Sequence, residues 1–262
     1  MKHYETWRSE RINSLIGPQG ILAEINRYFI SESCSLAEIP GTWSPASEPQ
    51  QGLLLSSSAD DKIEVDGKIV DGTVLVTPSS AIRYTDRLTA TVITPDGINY
   101  GIRIWDSDSA AIRKFDGISS YPYNPEWVVK AEYLPSSASR TVSFELFNQQ
   151  GLTQELPSPG DIRFQINGES YELVTYAFFN QIVLTFKDLT NGRQTYEALR
   201  FLLIQPEADG TVVLDFNYAF LPPCAFNQSP LFPCPLPPAQ NRLHFPIEAG
   251  EREPLFKDNQ KA

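Results

Sequence analysis

Histidine, methionine and cysteine are scarce in this chain, with two, one and three copies respectively. With only His3 and His244, no Cys-x-x-Cys, and no close ligand spacing around Cys224 and Cys234, a zinc centre lacks its donors. Phosphate-cradling glycine loops, dinucleotide fingerprints and the zincin motif are missing as well, so no metal and no cofactor is expected. There is no Gly-x-Ser-x-Gly elbow to mount a serine nucleophile. No apolar run reaches the roughly 18 residues of a membrane helix. The first ten residues are polar and carry acid, unlike a signal peptide, and a cytoplasmic protein is expected.

Basic charge is also in deficit. Against 32 Asp and Glu stand 21 Lys and Arg, a net charge of −11, and such a surface repels phosphate backbones and anionic lipid alike. Neither nucleic acid nor membrane is expected as a partner, and the oligomeric state is not fixed by sequence. The apolar share of 41% and charged share of 20% are those of a globular chain. At 262 residues it fits either one elaborate core or two small ones.

The chain does supply turns. Asp66-Gly67, Asp71-Gly72, Asp96-Gly97, Asn167-Gly168, Asn191-Gly192 and Asp209-Gly210 punctuate short runs of Val, Ile, Thr and aromatics, as in all-β folds. Three hairpins are predicted: 88–94 with 98–105, 162–166 with 170–176, and 201–205 with 212–216. Trp7, Ile12 and Leu15 share a helical face over 4–15, closed by Gly17-Pro18. The apolar segment 21–30 reads as helix or strand, with Leu22, Ile25 and Phe29 favouring a helix at three- and four-residue spacing. The fold class is therefore mainly β, an antiparallel barrel or two-sheet sandwich with a short N-terminal helical arm. We divide it into an arm at 1–30, a surface connection at 31–51, a β domain at 50–252 that could subdivide near 135–140, and a frayed tail at 253–262.

The last third carries a dense signature. Strand alternation puts Val212, Leu214, Phe216 and Tyr218 on a core face and Asp215 and Asn217 together on the other. After them come Pro222, Pro223, Pro230, Pro233, Pro235, Pro237 and Pro238, each without an N–H, so this segment cannot join a central strand. Two readings stay open. Asp215 and Asn217, with Asn241, either hydrogen-bond the loop's backbone and pin it, or floor a pocket that the loop walls. Cys224 and Cys234 belong to this structural loop. Reduced thiols fit a cytoplasmic chain, and a bridge closing the proline-rich loop is the alternative.

Phe186-Lys187-Asp188-Leu189-Thr190-Asn191-Gly192, Thr195-Tyr196, Arg200-Phe201-Leu202, Leu214-Asp215-Phe216-Asn217, the two cysteines with their prolines, and Ala249-Gly250-Glu251 resemble the uncharacterised prokaryotic family catalogued as domain of unknown function 1684. Arg103-Ile104-Trp105-Asp106, Arg113-Lys114-Phe115, Tyr121-Pro122 and an N-terminal Trp-Arg pair extend the resemblance over most of the chain. It implies that these residues form a unit, and it implies no reaction.

The catalytic residues are unknown from sequence. A Cys224, His244 and Asp215 triad can be assembled on paper, with no spacing to warrant it. Asp188, Asp215, Glu248 and Glu251 could pair as the carboxylates of a hydrolase. Arg103 beside Trp105 on one strand face, with Arg113 nearby, suits a small anionic or planar ligand, and an Arg–Asp pair tying down a loop is the plainer reading. The preferred expectation is a small-molecule-binding or structural β module with candidate contacts Arg103, Trp105, Arg113, Asp215, Asn217 and Asn241. The alternative is a hydrolase using carboxylates near Asp215.

Overall fold

The chain is seen in a computed structural model that describes residues 2–257 apart from 48–50, 138, 148, 150, 179, 228–231 and 233. The helix α1 (Lys2–Ile16) ends where expected. Gly17 still donates to Asn13 O at 2.9 Å, but Pro18 has no N–H with which to continue. Contacts divide the chain into two units, Ser9–Lys114 and Met1–Arg8 with Phe115–Ala262. Among the described residues no helix is long and apolar enough to cross a membrane.

The amino-terminal unit holds β1 (Glu24–Phe29), β2 (Cys34–Ser35), β3 (Thr42–Pro45), β4 (Leu53–Ser57), β5 (Glu64–Val65), β6 (Lys68–Ile69), β7 (Gly72–Val76), β8 (Ile82–Arg83), β9 (Leu88–Ile93), β10 (Gly101–Asp106) and the short helix α2 (Ala110–Lys114). They make two antiparallel sheets, in the orders β1-β10-β9-β8-β5-β6 and β2-β3-β4-β7. One core draws on both, with Trp43, Leu53, Leu55 and Val76 from one sheet and Ile82, Val92, Ile102 and Ile104 from the other. The expected pairing of 88–94 with 98–105 is present as β9 with β10.

Residues 24–29 form an edge strand rather than a helix: they pair with β10, Arg27 opposite Arg103, and the supposed helix-face residues Ile25 and Phe29 are exposed. Long-range pairing outweighs a weak local period. Residues 31–51 are more than a connection, because they carry β2 and β3 and the fully buried Trp43.

The carboxy-terminal unit holds β11 (Phe115–Ser120), β12 (Val128–Pro135), β13 (Thr141–Phe147), β14 (Thr153–Pro157), β15 (Gly160–Ile166), β16 (Glu169–Val174), β17 (Tyr176–Phe178), β18 (Gln181–Phe186), β19 (Arg200–Ile204), β20 (Thr211–Asp215), α3 (Pro223–Phe226), β21 (Cys234–Pro235) and β22 (Glu251–Phe256). Its sheets run β16-β15-β12-β20, β17-β18-β19, β14-β13-β21 and β11-β22. No sheet closes into a barrel among the described residues. The core packs Phe164, Leu173, Val212 and Leu214 with Leu184, Phe186, Leu202 and Phe216. The hairpin of β15 and β16 turns through Asn167 and Gly168, both at positive φ (53° and 82°), as its Asn-Gly pair demands.

The third expected hairpin is not a ladder. After the turn in which Gly210 donates to Glu207 O, β20 pairs with β12, while β19 pairs with β18. Pro206, at the root of that turn, lacks the N–H to extend a ladder there. Residues 135–140 fall inside this unit, around the link from β12 to β13, whereas the chain passes from one unit to the other after Arg8 and after Lys114. The expected frayed tail starts later than Arg252, since β22 runs to Phe256, and 258–262 lie outside the described residues.

Candidate functional site

The alternation read through 212–218 holds to Leu214 and then breaks. Asp215 ends the strand and caps a 3-10 turn over Phe216–Tyr218, its Oδ1 accepting from Asn217 N at 3.0 Å. The turn rotates Asn217 inward, where it is fully buried. Its Oδ1 accepts from Asn124 N at 2.8 Å, and its Nδ2 donates to Asn124 O at 2.9 Å and to Asp215 Oδ1 at 2.8 Å. Asp215 Oδ2 accepts a hydrogen bond from the Tyr123 hydroxyl at 3.2 Å. That carboxylate, after burial, keeps the Tyr123 phenol above its ordinary value.

Asn241 repeats the device at the far end of the proline-rich segment. Also fully buried, it accepts from Val174 N at 2.9 Å and donates to Val174 O and Thr185 O, each at 2.8 Å. One amide thus joins the ends of β16 and β18, which belong to different sheets. The pocket-floor expectation for Asp215, Asn217 and Asn241 gives way to the pinning one, with altered partners. Asn217 holds Asn124 rather than the proline-rich loop, and the loop supplies Asn241 as its own anchor.

Asp188 and Arg200 form an ion pair of 2.6 Å with both side chains wholly buried. The guanidinium also donates to Ala249 O and to Ile247 O, and lies over the Phe186 ring at 5.1 Å. Asp188 Oδ1 accepts from Thr190 N at 2.8 Å and Ile247 N at 3.2 Å. The pair therefore grips 247–249 by its donors and its acceptors. Gly250, at φ +78°, lies against Phe216 and Ala219, where an added Cβ would stand 2.5 Å from Ala219 O. Glu251 Oε2 accepts the Leu221 amide at 2.7 Å. Of the four carboxylates considered for hydrolysis, three are committed to such contacts; Glu248 is exposed.

Arg103, Trp105 and Arg113 lie in the other unit. Trp105 is buried, not displayed, and its Nε1 donates to Thr91 Oγ1 at 3.0 Å. Arg103 lies over that ring at 5.7 Å and 3.7 Å from Glu24, with burial lowering its pKa. Arg113 pairs with Asp108 at 3.1 Å, and Asp106 is taken by Arg87 at 2.6 Å. The six expected contacts are thus divided between two units.

What stays open lies beside the strap that follows Cys234. Cys234 and Pro235 pair with Phe147 and Leu146 of β13, and Leu236 N donates to Glu145 O at 2.7 Å. Between β13 and this strap is a cavity of about 250 Å³, lined by Ser143, Glu145, Leu236, Pro237, Pro238, Ala239 and Arg242. The strap's prolines hold it extended, and beside the Cys234–Pro235 pairing the Leu236 N–H ties it to β13. Arg242 Nε reaches Pro237 O at 3.4 Å, and among the described residues neither Arg242 nor Glu145 has an ion-pair partner. A larger cavity, about 600 Å³, lies in the amino-terminal unit between residues including Ile30, Pro45, Gln51, Ile98 and Tyr100, with no charged side chain in its lining. Charge favours the smaller of these two, and a third cavity, about 410 Å³ with Asp66, Lys68 and Asp71 in its lining, also lies in the amino-terminal unit. The one beside the strap is preferred because its charged residues fall within 113–252, with the strap's prolines.

Sequence reasoning missed Ser143, Glu145 and Arg242. The signal for the first two is the exposed alternation of β13, and none marks Arg242. Cys224 and Cys234 are free, buried thiols hydrogen-bonded to one another. Among the described residues no group of three or more His, Cys, Asp or Glu could hold a metal ion.

Residues 113–252 match the model of a family described as Protein of unknown function (DUF1684). No curated protein matches the chain. Among solved structures, the solution NMR structure of an uncharacterized protein of Haloarcula marismortui is similar at 30% identity, covering 56% of this chain and 80% of that one with a TM-score of 0.43.

Proposed function

This chain belongs to the DUF1684 family of proteins of unknown function, and we propose that it is a small-molecule-binding β module whose ligand lies between β13 and the proline-rich strap. The observation that carries the reading is a concavity with one unpaired cation, Arg242, and one unpaired anion, Glu145, in the same lining. Such a pair suits a ligand with an anionic group for the guanidinium fork and a donor or ammonium group for the carboxylate. Ser143 adds a hydroxyl. At about 250 Å³ the space is below the roughly 300–1,000 Å³ of drug-sized sites, so the ligand is a small zwitterion of amino-acid dimensions. A cytoplasmic setting belongs to the same reading, because Cys34, Cys224 and Cys234 are unbridged, as a reducing compartment keeps them.

No observation favours the hydrolase alternative: Asp188 and Glu251 are buried and occupied, and Asp215 caps a turn. Native mass spectrometry of the protein from its own host tests the binding reading. The expected result is a small adduct on the wild type that is absent from Arg242→Ala and from Glu145→Gln. Bare wild-type protein, together with no thermal shift from free amino acids, would refute it.

A further inference from the structure

Cys224 and Cys234 stand at the two ends of a nine-residue stretch that contains Pro230 and Pro233. Cys224 lies in the single turn α3, which begins at Pro223, and Cys234 opens β21 opposite Phe147. The two thiols are 0% and 3% exposed and share a hydrogen bond, so sequence-distant sulfurs meet in a common enclosure. Aromatic groups form that enclosure. The Tyr196 hydroxyl donates to Cys224 O at 3.3 Å, Phe147, the register partner of Cys234, packs on Tyr196 at 6.1 Å, and Tyr176 stacks edge-on with Phe144 of the same strand as Phe147 at 5.2 Å. Burial holds both tyrosines protonated well beyond their ordinary range, so neither serves as a base.

We infer that Cys224 and Cys234 are a thiol–disulfide couple, oxidised by a low-molecular-weight disulfide such as oxidised glutathione. Apolar burial alone makes a thiol inert. Here the Cys234 S–H donates to the Cys224 sulfur, which favours the Cys224 thiolate and pushes the Cys234 thiol upward. The two sulfurs therefore have different parts in the exchange. The Cys224 thiolate attacks one sulfur of the small disulfide, forming a mixed disulfide and expelling a thiolate that takes up the proton Cys224 lost. Cys234 then gives up its proton and attacks Cys224 Sγ, and the second small thiolate leaves and accepts that proton. The net change is one protein dithiol oxidised and one small disulfide reduced to two thiols. Sulfurs in hydrogen-bond contact need only a short approach to reach bonding distance. Access for the first attack requires local opening of the one-turn helix α3, whose contacts include the Tyr196 hydroxyl on Cys224 O, two backbone bonds and the packing of Phe226 on Phe115.

Closing this loop removes freedom from the unfolded chain, and the linked form favours folding by roughly a hundredfold over the dithiol. The chemistry does not depend on whether the nearby cavity takes a ligand.

The test uses the full chain, reduced, freed of reductant and incubated natively with oxidised glutathione, then acid-quenched, unfolded and alkylated. Peptide mapping is expected to show a Cys224–Cys234 cross-link, reversed by dithiothreitol, with Cys34 alkylated or singly glutathionylated as the internal control. Cys234→Ser is expected to trap glutathione on Cys224, and Cys224→Ser to leave Cys234 largely unmodified. Should Cys224 and Cys234 both emerge alkylated while Cys34 has reacted, the pair is inert packing and the inference fails. Cross-links from Cys34, or glutathione on both buried cysteines with no linked peptide, overturn it equally. The wild-type result decides the matter even if a serine variant does not fold.

Discussion

Replacing Asn241 with Ala removes one side chain and strands three backbone groups. Val174 N, Val174 O and Thr185 O each lose a partner in a fully buried place. An unmet buried polar group costs about 1–3 kcal/mol. Val174 O and Thr185 O each have a second lone pair, so the lower half of that range applies to them, and the total is about 3–7 kcal/mol. Against a typical stability of about 5–15 kcal/mol this is close to unfolding. Urea denaturation followed by Trp127, which stacks on Phe245 at 6.4 Å in the same unit, reads the change. The midpoint is expected to fall steeply with little change in slope, and the Val174 amide to lose protection from hydrogen exchange. A shift equivalent to less than about 1 kcal/mol, with that amide still protected, would refute the assignment of Asn241 as the tie between the sheets.

Asp188→Asn leaves the Arg200 guanidinium buried without its counter-ion and is expected to cost about 3–5 kcal/mol in the same denaturation experiment. Replacing both partners by apolar residues is expected to recover part of that loss, because neither charge is then desolvated. Glu253 is an exposed residue, yet its carboxyl is held above the ordinary glutamate range, first by partial desolvation and then by Glu197. Its protonated form is thus preferred in the folded state, and stability falls as pH rises from the ordinary range through the raised value. Glu253→Gln is expected to unfold at higher temperature than wild type near pH 7 and at the same temperature well below the glutamate range, as thermal scans at the two pH values would show.

Turn chemistry was the most legible part of this fold. Asn167-Gly168 carries its conformation in two letters, so the β15–β16 hairpin could be read locally, whereas the partners of β19 and β20 could not. Those strands are chosen by β18 and β12, distant in sequence, and a turn constrains only the residues next to it. Residues 24–29 show the same limit, with a helical period overridden by a ladder to β10. At the site, the residue types Asp188, Arg200, Asn217 and Asn241 stood in the quoted signature or beside it, but their partners are main-chain atoms. Backbone groups leave no mark in a sequence, which is why the gripping of 247–249 was invisible. Glu145 and Arg242 were hidden for a different reason: solvent-facing charges on a strand and a loop look alike everywhere until a fold makes them neighbours.

The Arg200 grip and the β11–β22 ladder set an order on biosynthesis. Phe115 leaves the ribosome long before Phe256, yet each is the other's register partner, and the carbonyls that Arg200 needs belong to Ile247 and Ala249. A nascent chain halted ahead of those residues has a desolvated guanidinium site with two acceptors unsynthesised, and an unzipped border at 115–120. The unit is sealed only once residue 256 has emerged, which makes it a late, high-contact-order folder.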